Sequence, residues 1–153
     1  MRRLSSWSSV VVFCVCLLGA IGYQLRAGEA KGELKFAVQL IWGTNEEKPP
    51  GKDLKEVDPR ITEALKGIFK WKNYFEVTRK NLAVASKAMQ RVKLSDKCEV
   101  EVQNLGNSSV QIKLLGEGKC VHTRKESITP GKVIAFAGED KNDTVWFVVL
   151  TAQ

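Results

Sequence analysis

Residues 33–43 read ELKFAVQLIWG, with Phe36, Val38, Leu40 and Trp42 at every second position. That period puts them on one face of a strand. Ala37 and Ile41 make the other face apolar as well, so both sides of this strand are expected to be covered. Residues 44–58, TNEEKPPGKDLKEVD, are a long polar connector in which Pro49, Pro50 and Gly51 argue against regular structure. The period then changes. In DPRITEALKGIFK, residues 58–70, Ile61, Leu65, Ile68 and Phe69 fall at i, i+4, i+7 and i+8, one stripe of a helix. Asp58 suits the N-cap and Pro59 the first helical position. Lys66 and Lys70 lie where a helix end favours cations. Gly67 weakens the helix by about 1 kcal/mol relative to alanine.

The rest of the chain is strand-like. YFEVTRKN, MQRVKLS and CEVEVQN come first, the last alternating Val100 and Val102 against Glu99 and Glu101. A turn at Gly106 and Asn107 leads to VQIKLLG, with Val110, Ile112 and Leu114 on one face. GEGK turns the chain into CVHTRKESI, TPGK turns it into VIAFAG, and EDKND leads to TVWFVVL, apolar enough for burial on both faces. One strand, one helix and a run of six or seven strands on short turns predict an α+β domain. The helix packs on a mainly antiparallel β-meander of six to eight strands, or caps a small half-open barrel. Residues 31–153 form a single domain, and the connector at 44–58 lies within it.

The first thirty residues stand apart. Arg2 and Arg3 precede the apolar run 10–21, VVVFCVCLLGAI, and small residues at Gly28 and Ala30 follow. This is the layout of a secretory signal peptide cleaved after Ala30. The run is shorter than the roughly 18 residues of a membrane span. Trp7 and Tyr23 can extend it, so an uncleaved N-terminal anchor is the alternative and the only membrane contact expected. Export to the periplasm or extracellular space follows. Residues 31–153 carry 21 Lys and Arg against 16 Asp and Glu, a net charge of 21 − 16 = +5. That charge favours anionic surfaces. The basic residues are scattered among acidic ones, which opposes nucleic-acid binding.

Little in the chain points to catalysis or cofactors. Cys98 and Cys120 flank the strand 109–115, and non-neighbouring strands lie roughly 9–10 Å apart, too far for a disulfide. Two independent thiols are expected. His122, the single histidine, shares a strand side with Cys120 in the simple alternation, giving two ligands where zinc takes three or four. No metal or cofactor is expected. A Cys–His nucleophile pair lacks an orienting third residue. GEGKC lacks the spacing and following helix of a phosphate loop, and EDKND lacks the glycine and terminal glutamate of an EF-hand. Glu99 and Glu101 read as the wet face of a half-exposed sheet. NSS at Asn107 and NDT at Asn142 match the glycosylation sequon. No GxSxG, HExxH or GxGxxG occurs. A non-enzymatic protein is the reading.

The stretch IFKWKNYFEV, residues 68–77, offers the candidate binding residues Lys70, Trp71, Lys72 and Tyr74. Ile68 and Phe69 finish the helical stripe, and Phe75 and Val77 alternate inward on the next strand. Trp71 and Tyr74 lie in the joint, where neither period sets their direction; both are expected to pack mainly against the sheet edge with their polar tips reaching water. Rings beside cations can stack on sugars and attract acidic groups. The segments FAVQLIWGTNEEKPP, IFKWKNYFEVTRKN, SDKCEVEVQNLGNSSVQIKLLGEGK and DKNDTVWFVVL, in this order, resemble small exported bacterial proteins of unknown function. The resemblance implies a bacterial source and export to the envelope, and it carries over no functional residue. The first functional expectation is a non-catalytic envelope module that binds a protein partner through strand edges. The second is a cell-wall or anionic-glycan binder using the four joint residues. The third is a small hydrolase or protease inhibitor.

Overall fold

The computed structural model describes residues 32–48, 50, 53–139 and 144–153. The signal-like segment 1–30, the centre of the connector and the acidic turn at 140–143 with its sequon at Asn142 lie outside them. The described elements are β1 (Leu34–Thr44), β2 (Lys55–Glu56), α1 (Pro59–Lys66), β3 (Asn73–Val84), β4 (Met89–Lys93), β5 (Cys98–Gly106), β6 (Ser109–Gly116), β7 (Lys119–Ser127), β8 (Val133–Glu139) and β9 (Val145–Ala152). The α+β architecture expected from the periodicities is present. All strand pairs are antiparallel.

The strands form two open sheets and no closed barrel. One sheet has the order β2-β3-β1-β9-β8, the other β4-β5-β6-β7. The meander is thus interrupted twice: the chain leaves the first sheet after β3 and returns to it at β8. β1 and β9, the two strands apolar on both faces, sit side by side inside the five-stranded sheet. Only interior strands with a layer on each side can bury both faces. Phe36, Val38, Leu40, Val148, Leu150, Ile134 and Phe136 from that sheet meet Val100, Val102, Val110, Ile112 and Leu114 from the other in one core. Ile41, Phe147, Val149 and Tyr74 on the opposite face meet Val57, Ile61 and Leu65 from the helical segment in a second. The order of layers is helix, five-stranded sheet, four-stranded sheet. Among the described residues no helix is long and apolar enough to cross a membrane.

Asp58 caps α1 as expected, its Oδ1 accepting from the Arg60 N–H at 2.9 Å, with Pro59 in the first position. The helix stops at Lys66, three residues before its sequence stripe ends at Phe69. The Ile68 and Phe69 N–H groups both donate to the Leu65 carbonyl, at 3.1 and 2.8 Å, in a closing turn. Beyond it, helical spacing no longer sets direction. Phe69 still packs on the second core, but Ile68 is 74% exposed and not part of the buried stripe.

Three strand pairs shift register, at Val77, Leu105 and Val121, and the first and last overturn sequence-based faces. On β3, Leu40 pairs with Thr78 and Ile41 with Glu76, so Val77 is the extra residue and is exposed, not inward-facing. Glu76 and Arg79 consequently share a face. Glu76 accepts from Arg79 Nη2 at 2.8 Å and from buried Gln39 Nε2 at 2.5 Å. On β7, Leu114 pairs with His122 and Leu115 with Cys120, leaving Val121 extra.

Two hairpins close on two-residue loops, Asn107–Ser108 and Glu117–Gly118, with φ of 51° and 53°, and 49° and 78°. Both loops thus have the paired positive φ of a type I′ turn, whose twist matches the flanking strands. The polar connector contributes β2 and is pinned by Asn45, whose Oδ1 accepts from the Lys72 N–H at 3.2 Å.

Candidate functional site

The four joint residues do not form one surface. Tyr74 is only 5% exposed. Its ring packs 5.8 Å from Phe147, and its hydroxyl faces the Phe69 carbonyl at 3.5 Å. Burial pushes its phenol above the ordinary value of 10.0. Tyr74 therefore belongs to the core and offers no open ring face to a ligand. Trp71 is half-buried against the same core, and Lys70 Nζ lies 5.4 Å from its ring centroid. Such a cation occupies the face that a sugar would use, an arrangement worth about 0.5–1 kcal/mol at an exposed site. Lys72 is exposed and lines a shallow groove of about 290 Å³ with Lys66, Glu56, Glu63, Tyr74 and Phe75. Its two acids offset its two lysines, and its size falls at the bottom of the roughly 300–1,000 Å³ of ligand pockets.

A different aromatic group emerges on the opposite face of the five-stranded sheet. Phe75 on β3 pairs with Trp42 on β1, and Trp42 pairs with Trp146 on β9. Three side chains distant in sequence thus form one row across three adjacent strands. Ring centroids are 6.1 and 6.5 Å apart, with tilts of 36° and 30°. The row shares the alternation of Leu40 and Val148, yet none of its rings belongs to either core. Phe75 is buried, Trp42 is half-buried and Trp146 is 37% exposed, so the row grades from interior to surface. On β8 the row ends at Gly138, which extends no side chain over Trp146. Behind it, Gly43 keeps the sheet close to its helix-side core. A Cβ there would lie 2.7 Å from a Val145 methyl and 2.9 Å from the Phe147 ring.

Cross-strand aromatic pairs stabilise a sheet by about 0.2–1 kcal/mol each, and this row does so too. Its exposed end adds a flat, polarisable surface with a polar indole edge. The sequence signal was present in two tryptophans on strands apolar on both faces. The alternation read Trp42 as core because it shares a face with Phe36, Val38 and Leu40. In the structure its ring instead contacts Phe75 and Trp146 on the neighbouring strands.

The remaining candidates separate. The bulge at Val121 puts Cys120 and His122 on opposite faces of β7, correcting their assignment to one side. Cys120 Sγ lies 3.3 Å from Thr123 Oγ1, while the His122 ring is 6.2 Å from Phe136. Cys98 and Cys120 are free thiols on strands either side of β6. Burial raises the Cys98 thiol above 9.0, with the Glu99 charge adding to the shift. No group of three or more metal-ligating side chains occurs among the described residues.

Glu99 and Glu101 lie on the outer face of the four-stranded sheet among cations. Glu101 accepts from Arg91 Nη2 at 2.6 Å and from Lys113 Nζ at 2.9 Å, and Glu99 lies 3.7 Å from Arg91. These hydrogen bonds, that from Arg91 foremost, hold the Glu101 carboxyl below its ordinary value near 4.5. An ionised, doubly paired carboxylate has no proton to give at neutral pH and is unsuited to acid catalysis. A depressed carboxylate adds stability above its unfolded value and loses it as the pH falls through the folded one. The urea midpoint of the wild type therefore falls as the pH drops below about 4.5. In Glu101→Gln that fall is shallower, and the midpoint at pH 7 is lower than wild type. Equal pH profiles for the two proteins would remove Glu101 from the acid response.

No family model, curated protein or solved structure matches the chain.

Proposed function

We propose that this protein is a non-catalytic exported module that holds a glycan of the bacterial envelope or cell wall against Phe75, Trp42 and Trp146. The observation that carries the reading is the registered aromatic row, exposed at its Trp146 end and outside both cores. A pyranose ring presents a face of C–H groups and an edge of hydroxyls. A tryptophan offers a ring face with negative potential, complementary to the C–H face. Stacking one on the other removes apolar area from water without burying a charge. The +5 charge of residues 31–153 draws the module toward glycans that carry carboxylate or phosphate groups.

Co-sedimentation with purified cell wall tests the proposal. Trp146→Ala is expected to weaken binding roughly tenfold, which is about 1.4 kcal/mol of lost stacking. Its thermal unfolding stays close to wild type because Trp146 is not a core residue. Wild-type binding also weakens with added salt, through the charge term. Equal recovery of wild type and Trp146→Ala would overturn the reading.

A further inference from the structure

Each sheet has two edges, and three of the four are protected against strand addition. β2 is two residues long. β4 is five residues long and carries Arg91 and Lys93. β7 is long and exposed, but it has the bulge at Val121 and the cations Lys119, Arg124 and Lys125. Short length, bulges and basic side chains are the devices by which proteins keep sheet edges from pairing with other chains. β8 has none of them. It runs seven residues, VIAFAGE, with no Lys, Arg or Pro. Its register against β9 is unbroken from Val133–Thr151 to Glu139–Val145, and among the described residues it pairs with β9 alone.

The two faces of β8 restrict what can lie beside it. Ile134 and Phe136 belong to the core between the sheets, and Ala135 and Ala137 pack against the helix-side core. An added strand must therefore continue two apolar layers, with apolar residues at odd and even positions alike. β8 itself meets that requirement from Val133 to Ala137, and no like charges between Val133 and Gly138 would repel a copy of it. We infer that β8 is a self-association edge, pairing antiparallel with β8 of a second copy of this chain about a two-fold axis. The register that pairs the whole strand sets Phe136 opposite its own copy, Ala135 opposite Ala137 and Ile134 opposite Gly138. It keeps like faces together, as sheet register requires. The two five-stranded sheets become one of ten strands. The seam adjoins the aromatic row, because Gly138 lies between Trp146 on β9 and Ile134 of the copy, but the two readings have separate tests: Trp146→Ala for the glycan, the charged β8 variants for the seam.

The test is the mass of the protein recovered from the exporting cell, measured by sedimentation equilibrium over a dilution series. Wild type is expected to approach twice the monomer mass at the concentrated end and to dissociate on dilution. Ala135→Lys sets two ammonium groups on diagonal positions across the seam, about 7–8 Å apart at the Cα atoms, and is expected to remain monomeric throughout. Val133→Glu, at an exposed position outside both cores, keeps the test readable if Ala135→Lys does not fold; the same register sets position 133 opposite Glu139 of the copy, so like charges meet across the seam and association is again expected to weaken. A wild type that stays monomeric at every concentration overturns the proposal. So does a dimer that survives in the folded variants, which would place the contact elsewhere. Capture of an unrelated extended peptide by a monomeric wild type would assign the edge to a different partner and equally reject self-pairing.

Discussion

Phe147→Ala is expected to lower the unfolding free energy by about 3–5 kcal/mol, the range for removing a buried aromatic side chain. Phe147 is 0% exposed and sits where α1 meets the five-stranded sheet. Its ring centroid is 4.7 Å from Phe69 and 5.8 Å from Tyr74. The helix spans only eight residues, too few to be stable alone, so its docking depends on this contact. Truncation leaves a cavity between the helix turn and β9 that neighbouring rings can fill only in part. Urea unfolding followed by far-ultraviolet circular dichroism measures the loss, and a change under about 1 kcal/mol would show that this face is not held through Phe147. The preceding residue gives the contrast. Trp146 points to the other side of the same strand, and its truncation is expected to cost stability little and binding much. One strand thus carries a stability residue and a ligand residue side by side, separated by the alternation of its side chains.

Asn104→Ala is expected to cost about 2–4 kcal/mol, because truncation strips partners from three backbone groups at once, the Val84 carbonyl among them buried. Asn104 is 1% exposed on β5. Its amide donates to the Gly32 carbonyl at 2.8 Å and to the Val84 carbonyl at 3.1 Å, and its Oδ1 accepts from the Gly106 N–H at 2.9 Å. It therefore joins the four-stranded sheet to the end of β3 and to the entry of β1 in the other sheet. Asn104→Asp keeps the shape but turns a carboxylate toward two carbonyls. Its deficit is expected to be larger than that of alanine at pH 7 and to shrink as the pH falls, since a protonated carboxyl can donate one of the lost bonds. A denaturant series at pH 7 and pH 4 checks both. If Asn104→Ala unfolds within about 0.5 kcal/mol of wild type, the amide does not tie the sheets together.

Much of the architecture is legible in the sequence because local rules produce it. Alternation is a property of each strand, so the faces of β1, β5 and β6 follow from residue order alone. The cap at Asp58 and the turns around Gly106, Gly118 and Gly131 depend on backbone chemistry within a few residues. Bulges are different. Nothing in EVTRK marks Val77 as an extra residue, and nothing in KCVHT marks Val121. A bulge is a mismatch between two strands, so it exists only once both are paired. That is why Val77 faces out and why Cys120 and His122 part company. Ile68 strays for a related reason: spacing identifies a stripe only while the helix continues.

The candidate site divides along the same line. Trp71, Tyr74, Lys70 and Lys72 are neighbours in sequence, and proximity along the chain made them a candidate group. Packing draws Tyr74 into the core and leaves Trp71 under Lys70. Phe75, Trp42 and Trp146 are far apart in sequence and become neighbours through the registers of β1 with β3 and β9. By itself the sequence determined the fold class, the faces of β1, β5 and β6, the helix start and the tight turns, because each rests on interactions between nearby residues. Tertiary structure alone decided the split into two sheets, the bulges, the aromatic row and the unprotected edge at β8, because each depends on which strands pair and in what register.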